Sequence, residues 1–159
     1  MMFLHCAFWG LVATVVLTTL LAGSQGFGFT RMNVPFLLGS MLTPNRDRAK
    51  LYGIGLHFLN GVFFAWLYLL VFQTWQGATW WKGLLVGAVH GFFLLTVFVT
   101  LLPSIHPRMA NEQQGPTILK QIEPPGFFGF HYGRRTPISI LIAHLIFGLI
   151  LGIFLPHAE

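Results

Sequence analysis

Three histidines within the apolar segments of the chain carry most of its candidate chemistry. His57 lies in "LHFLNG" (56–61), His144 in "AHLIFG" (143–148) and His90 in "AVHGFF" (88–93). Ionisable residues in membrane segments are rare and mark candidate functional positions. A neutral imidazole can ligate a cofactor metal, transfer a proton near neutral pH, or hydrogen-bond a neighbouring helix.

These options define alternative hypotheses for the three histidines. His57 and His144 could ligate a haem b from opposite faces, or one histidine, His90 included, could ligate a chlorophyll-type pigment. A polar path lined by His57, Asn60, His90 and Thr96 would instead suit a small transporter or channel. In the simplest alternative, each imidazole only hydrogen-bonds a neighbouring helix and holds the bundle together. The sequence leaves all of these open.

Other catalytic and metal-binding patterns are missing from the sequence. Cys6 is the single cysteine, so there is no CxxC or CxxCH motif. His106 and His131 lie near Glu112 and Glu123, but no HExxH or HxH spacing accompanies them. No Ser-His-Asp set and no phosphate-cradling loop is present either. We therefore expect no catalytic residues and no metal site, which argues against an enzyme.

The composition predicts a membrane protein. Of the 159 residues, 55% are hydrophobic and only 8% are charged, against roughly 25% charged in a soluble domain. Segments of about 20 residues free of Asp, Glu, Lys and Arg are long enough to cross a hydrocarbon core of about 30 Å. We predict a single all-α domain over 1–159 with four transmembrane helices, at about 4–23, 51–72, 83–102 and 138–155, joined by long loops at 24–50 and 103–137.

The first and last ends of the chain are predicted to face the outside. "MMFLHCAFWG" has no Lys or Arg, whereas a signal peptide begins with basic residues, so the first apolar segment is expected to remain as a helix. Of the nine basic residues, all but Lys82 lie in the two long loops, which by the positive-inside rule are cytoplasmic. This predicts an N-out/C-out protein of the bacterial inner membrane. The loop cations are candidates for lipid or anion contact rather than nucleic-acid binding: Arg46, Arg48, Arg108, Arg134 and Arg135.

A repeat indicates that a helix-loop-helix unit has been duplicated in tandem. Three pairs of identical residues are 87 positions apart: Arg48 and Arg135, His57 and His144, and Gly61 and Gly148. Thr-Pro pairs at 43–44 and 136–137 also precede the second and fourth helices, with Thr expected as the N-cap and Pro as the first helical residue. Such a duplication predicts a pseudo-two-fold axis along the membrane normal.

Small residues at four-residue spacing predict how the helices pack. Gly83, Gly87 and Gly91 form such a row in the third helix, and Gly148 and Gly152 form one in the fourth. Because lipid provides no hydrophobic drive for helix association, close backbone approach at these rows would hold the bundle together. In the loops, "NVPFLLGSML" (33–42) is expected to form a re-entrant or interfacial turn, with "PPGFFGF" (124–130) lying opposite it.

Several segments together resemble a group of small bacterial four-helix integral membrane proteins. They are "FTRMNVPFLLGSMLTPNRDRAK", "IHPRM", "GP", "PPGFFGFHYGRRTP" and "AHLIFG". No activity is assigned to that group, so the resemblance implies a fold and transfers no catalytic role. The sequence favours a non-catalytic accessory or scaffolding subunit, which contacts membrane lipid and associates with itself or with a larger membrane complex.

Overall fold

The computed structural model describes residues 2–111 and 115–155. Glu112, noted above beside His106, and the last four residues lie outside the described part. The described residues form six α-helices and no strand, with one isolated bridge between Met109 and Ile122. The helices are α1 (Met2–Gly26), α2 (Val34–Ser40), α3 (Arg46–Thr74), α4 (Trp80–Phe93), α5 (Val99–Ile105) and α6 (Thr136–Phe154). A π-helical turn, Leu94–Phe98, joins α4 to α5, and a 3-10 segment, Phe127–Tyr132, precedes α6.

The prediction of four long apolar helices is confirmed. The segments long and apolar enough to cross a membrane are Met2–Gly26, Arg46–Thr74, Trp80–Ile105 and Thr136–Phe154. The third of these runs continuously through α4, the π-turn and α5. These helices indicate a membrane protein. Its sidedness and the tandem duplication remain predictions.

The N-cap residues of α3 and α6 are not the Thr residues that the Thr-Pro pairs predicted. The N-cap of α3 is Asn45, whose side chain accepts hydrogen bonds from the amides of Asp47 and Arg48. The N-cap of α6 is Arg135, which places Thr136 inside the first turn. The expectation of a Thr N-cap was therefore wrong at both helices. Asn ranks above Thr as an N-cap, and at α3 the Asn45 side-chain oxygen accepts from two of the first free amides of the helix.

The four long helices are arranged in the order α3, α1, α6, α4. α1 packs on both α3 and α6, and α6 packs on both α1 and α4, whereas α3 and α4 approach each other at only a few positions. The first turns of α1 and the end of α6 meet at one end of the bundle, where Trp9 stacks on Phe154 with ring centroids 3.9 Å apart. A strict two-fold axis would make the α1–α6 and α4–α3 contacts alike, but α4 and α3 make far fewer contacts than α1 and α6 do. The bundle is therefore open on the side between α3 and α4.

The α4–α6 contact depends on close backbone approach. A Cβ atom at Gly83 or at Gly148 would collide with the carbonyl oxygen of the other residue. A Cβ at Gly87 would likewise collide with the carbonyl oxygen of His144. The glycine rows therefore let the two helices pack backbone to backbone, and they bring the His144 turn against α4.

The 33–42 segment forms a short helix against the start of α3. Asn33 caps α2 by accepting a hydrogen bond of 2.9 Å from the amide of Phe36. Gly39 lies against the carbonyl of Ala49 so closely that a Cβ atom would collide with it. Thus α2 lies at the loop end of the bundle, opposite the end where Trp9 stacks on Phe154.

Candidate functional site

The histidine cavity, a space of about 250 Å³ within the bundle, is lined by His57, His90 and His144. His57 comes from α3, His90 from α4 and His144 from α6. No Asp, Glu, Lys or Arg is among the described residues that line it, and most of its walls are Leu, Val and Phe. The three histidines singled out in the sequence thus lie around one common space.

His144 is oriented by its own helix. Its ring is buried, and its Nδ1 lies 2.7 Å from the carbonyl oxygen of Ile140, one turn earlier. A carbonyl can only accept a hydrogen bond, so Nδ1 carries the proton and Nε2 of the neutral ring carries a lone pair. Since this bond is made within α6, it does not join neighbouring helices, and Nε2 is the atom of His144 that can accept a hydrogen bond from another group.

His90 is held between aromatic rings. It stacks on Phe64 of α3 with centroids 4.0 Å apart, and it packs edge to face with His144, with centroids 4.8 Å apart. Its Nδ1 lies 3.3 Å from the hydroxyl of Tyr68, also in α3. This bond is the inter-helix hydrogen bond that the simplest hypothesis expects, and it crosses the side of the bundle where α3 and α4 hardly touch.

Two imidazole nitrogens of the site have no hydrogen-bond partner. Nε2 of His57 and Nε2 of His90 are both buried, and no group of the described residues bonds to them. Leaving a buried polar atom unpaired costs about 1–3 kcal/mol. A site built only for packing would have to overcome this cost twice, so the helix-packing hypothesis leaves these two atoms unexplained.

The cavity reaches the outer surface of the bundle between α3 and α4. Among its lining residues, Phe63 and Phe93 are 52% and 46% exposed, and Asn60 beside them is also exposed. An exposed asparagine in the middle of a long apolar helix provides a polar group at this opening. The cavity wall thus includes side chains at the outer surface of the bundle, on the side where α3 and α4 face each other.

The π-turn helps to form the cavity. Leu94 and Phe98, at its two ends, both line the histidine cavity. A π-turn inserts an extra residue per turn, and such turns occur frequently at functional sites. Sequence reasoning missed this turn because apolar residues such as "LLTVF" carry no signal for it. Tyr68 was also missed, although it follows His57 by eleven residues, which is three helical turns, and so lies on the same face of α3.

A second space, the loop-end cleft of about 780 Å³, lies between α2, the start of α3 and the 107–123 segment. Of the loop cations noted in the sequence, Arg46 and Arg108 line this cleft, whereas Arg48, Arg134 and Arg135 do not. Arg31 and Lys50 also line it, although they were not among the residues predicted to contact lipid or an anion. Arg135 instead lies over the ring of Phe29, 4.8 Å from its centroid.

His106 fastens α2 to the end of the third long helix. Its Nδ1 accepts a hydrogen bond of 3.1 Å from the amide of Arg108, so the proton lies on Nε2, which donates to the carbonyl of Leu37 at 3.1 Å. The hydroxyl of Ser40 lies 3.2 Å from the same Nε2. Burial lowers the pKa of His106 below its ordinary value of 6.5, and the positive charge of Arg108 lowers it further. His106 thus has a structural role.

Tyr132 closes the cleft beside the second loop. Its hydroxyl donates a hydrogen bond to the carbonyl oxygen of Glu123. Burial raises the pKa of Tyr132 to about 12, and the carboxylate of Glu123 acts in the same direction. Tyr132 is therefore a neutral hydrogen-bond donor at any physiological pH and adds no charge to the cleft.

Neither space presents a metal centre among the described residues, where no group of three His, Cys, Asp or Glu side chains could hold a metal ion. No protein-family model, curated protein or solved structure matches the chain.

Proposed function

We propose that the protein is a non-catalytic binding protein of the membrane, which holds a small lipid-soluble molecule in the histidine cavity. The observation that supports this proposal is the pair of buried, unpaired Nε2 atoms on His57 and His90, two residues that line the same cavity. A bound molecule that hydrogen-bonds these atoms would remove the cost of leaving them unpaired.

The lining of the cavity indicates the chemical class of the ligand. Because the cavity wall has no charged side chain among the described residues, an ionised ligand would be expensive to bury there. Phe64, Phe98 and Phe147 provide aromatic walls. A neutral imidazole nitrogen either donates or accepts, so a hydroxyl or carbonyl oxygen on the ligand can pair with it. The proposed ligand is a neutral, mainly apolar molecule that carries one or two such oxygens.

The lateral opening supports entry from the membrane. A ligand dissolved in lipid would pass between Phe63 and Phe93, whose exposed rings border the opening. Asn60 would offer it a first hydrogen bond there, before it reaches the imidazoles. This route needs no movement of the loops.

The size of the cavity separates this proposal from the tetrapyrrole hypothesis. Pockets that enclose drug-sized ligands measure roughly 300–1,000 Å³, whereas the histidine cavity measures about 250 Å³. A haem or chlorin is larger than most drug-sized ligands, so α3 and α4 would have to move apart to admit one between His57 and His144. A smaller molecule fits without that movement.

The proposal is tested by replacing His57 with leucine, which keeps the size of the side chain and removes its polar atoms. Protein purified from its native membrane in mild detergent is expected to retain a lipid-soluble molecule in near-equal amount, detected by mass spectrometry of the denatured sample. The His57→Leu variant should lose that molecule. It should also become more stable than the ligand-free wild type, by about 1–3 kcal/mol, because a buried unpaired nitrogen has been removed.

His131→Leu is the matched control, since this exposed histidine lies in the second loop and outside the histidine cavity. It should retain the molecule at the wild-type level. If the wild type retains nothing and His57→Leu is less stable than the wild type, the imidazole serves packing and the proposal is wrong.

A further inference from the structure

The loop-end cleft concentrates positive charge. Four cationic side chains line it, from Arg31, Arg46, Lys50 and Arg108, and Glu123 is the one carboxylate among the described lining residues. Glu123 pairs with Arg31 at 3.2 Å. The other three cations therefore face the cleft without a carboxylate in its described wall.

Arg108 is the cation whose position is best defined. Its Nη1 donates to the carbonyl oxygens of Ser40 at 2.6 Å and Met41 at 3.2 Å. Backbone carbonyls fix the guanidinium group in place, but they do not cancel its charge. Arg108 is therefore a preorganised positive group in the wall of the cleft, next to the end of α2.

Arg46 and Lys50 lie one turn apart at the start of α3. The Arg46 guanidinium lies 5.8 Å from the centroid of the Phe36 ring of α2, and both residues line the cleft. Lys50 is 3.5 Å from Asp47, but both side chains are well exposed, so that ion pair is weak. Both cations remain able to contact an anion within the cleft.

An apolar rim accompanies this charge. Ile118 and Leu119 line the cleft, and they are 90% and 79% exposed. The cleft lies where α1 ends and α3 begins, which is the level of lipid headgroups if these helices span the membrane. Basic groups beside exposed apolar side chains at this level suit an anion that carries an apolar chain.

We infer that the loop-end cleft is a binding site for a phosphate-bearing anion, held by Arg46, Lys50 and Arg108. The phosphate can come from the headgroup of an anionic lipid or from a soluble phosphate compound, since the same contacts serve both. This site is separate from the histidine cavity and does not depend on the function proposed for it.

The test compares two double variants with the same change in charge. Arg46→Gln/Lys50→Gln neutralises two cations of the cleft, and Arg48→Gln/Arg134→Gln neutralises two exposed cations outside it. Each protein is placed in nanodiscs of phosphatidylcholine with increasing phosphatidylglycerol, and bound lipid is counted by native mass spectrometry. In a second arm, binding of inorganic pyrophosphate to the detergent-solubilised protein is measured by calorimetry. Thermal midpoints check that both variants are folded.

A specific site predicts that the cleft variant loses roughly 25-fold in affinity and the control variant much less, because each of the two cations beside the anionic group contributes about fivefold. Such a loss for phosphatidylglycerol identifies a lipid headgroup as the source. The same loss for pyrophosphate identifies a soluble phosphate compound. If both variants lose affinity equally, or if neither probe saturates a site on the wild type, the cations act only as a diffuse charge and the inference is overturned.

Discussion

Replacing His106 with alanine should detach α2 from the rest of the loop end. The imidazole is 2% exposed and bonds both the carbonyl of Leu37 and the amide of Arg108. Each such bond contributes about 0.5–1.5 kcal/mol, and an amide left buried without an acceptor costs about 1–3 kcal/mol. Leu37 keeps a second partner, since the Ser40 hydroxyl donates to its carbonyl at 2.9 Å. The expected loss is therefore about 2–4 kcal/mol of the free energy of unfolding.

The loss is measured by unfolding the protein in mild detergent with increasing SDS, followed by tryptophan fluorescence. His106→Asn is an informative second variant, because its amide oxygen lies near the position of Nδ1 and can still accept from Arg108. It should lose about half as much as alanine. His131→Ala, at an exposed histidine whose Nδ1 lies 3.0 Å from the carbonyl oxygen of Pro124, should change stability by about 1 kcal/mol or less. A His106→Ala protein as stable as the wild type would refute the proposed fastening of α2.

The pH dependence provides an independent check on the same residue. Burial lowers the pKa of His106 in the folded protein below 6.5, so on acidification the unfolded chain takes up the proton first. Stability should therefore be full above pH 6.5 and should fall as the pH decreases from 6.5 towards the lower folded pKa. The difference between wild type and His106→Asn isolates this contribution from that of the other histidines. The wild type alone contains the buried imidazole that must be protonated, so its stability advantage over His106→Asn should shrink as the pH falls. An advantage that grows with acidification would contradict the lowered pKa of His106.

Three further outcomes are expected. Gly148→Ala should destabilise the protein by about 1–3 kcal/mol, because the new Cβ would collide with the backbone of α4. Gly55→Ala, with no atom within 4 Å of the new Cβ, should be neutral or stabilising. Unfolding in SDS measures both variants. A periplasmic reporter fused after Glu159 should be active, and activity only from a cytoplasmic reporter would refute the N-out/C-out topology. Native mass spectrometry from mild detergent should show the predicted association with itself or with a larger membrane complex, and a clean monomer would count against it.

The long helices could be predicted from the sequence because charge and length alone decide whether a segment can span a membrane. Their ends were displaced by a few residues, since Asn45 and Arg135 begin helices that had been assigned to the Thr-Pro pairs. The grouping of the histidines could be anticipated in part. His57 and His144 each share a row with glycines, and such rows face other helices.

The rest of the site depends on contacts that no local pattern records. The gap between α3 and α4 arises because α1 and α6 pack closely on each other, and the sequence of one helix does not reveal which neighbours it lacks. Likewise, Nε2 of His90 is unpaired because no neighbouring side chain or backbone group of the described residues hydrogen-bonds to it, and this could not be predicted from the sequence around His90. The loop-end cleft brings together Arg31 and Arg108 from segments far apart in the chain, so neither could be assigned to a common site before the fold was known.

The position of α2 allows binding in one site to affect the other. Leu37 lines the loop-end cleft and Leu38, the next residue, lines the histidine cavity, so one short helix forms a wall of both. A ligand that shifts α2 while binding in one space alters the shape of the other. Linkage then requires reciprocity: whatever factor an anion in the cleft applies to affinity in the cavity, the cavity ligand applies to the affinity for the anion. In such a protein, anion binding in the loop-end cleft and ligand binding in the histidine cavity would be coupled through a single helix of seven residues.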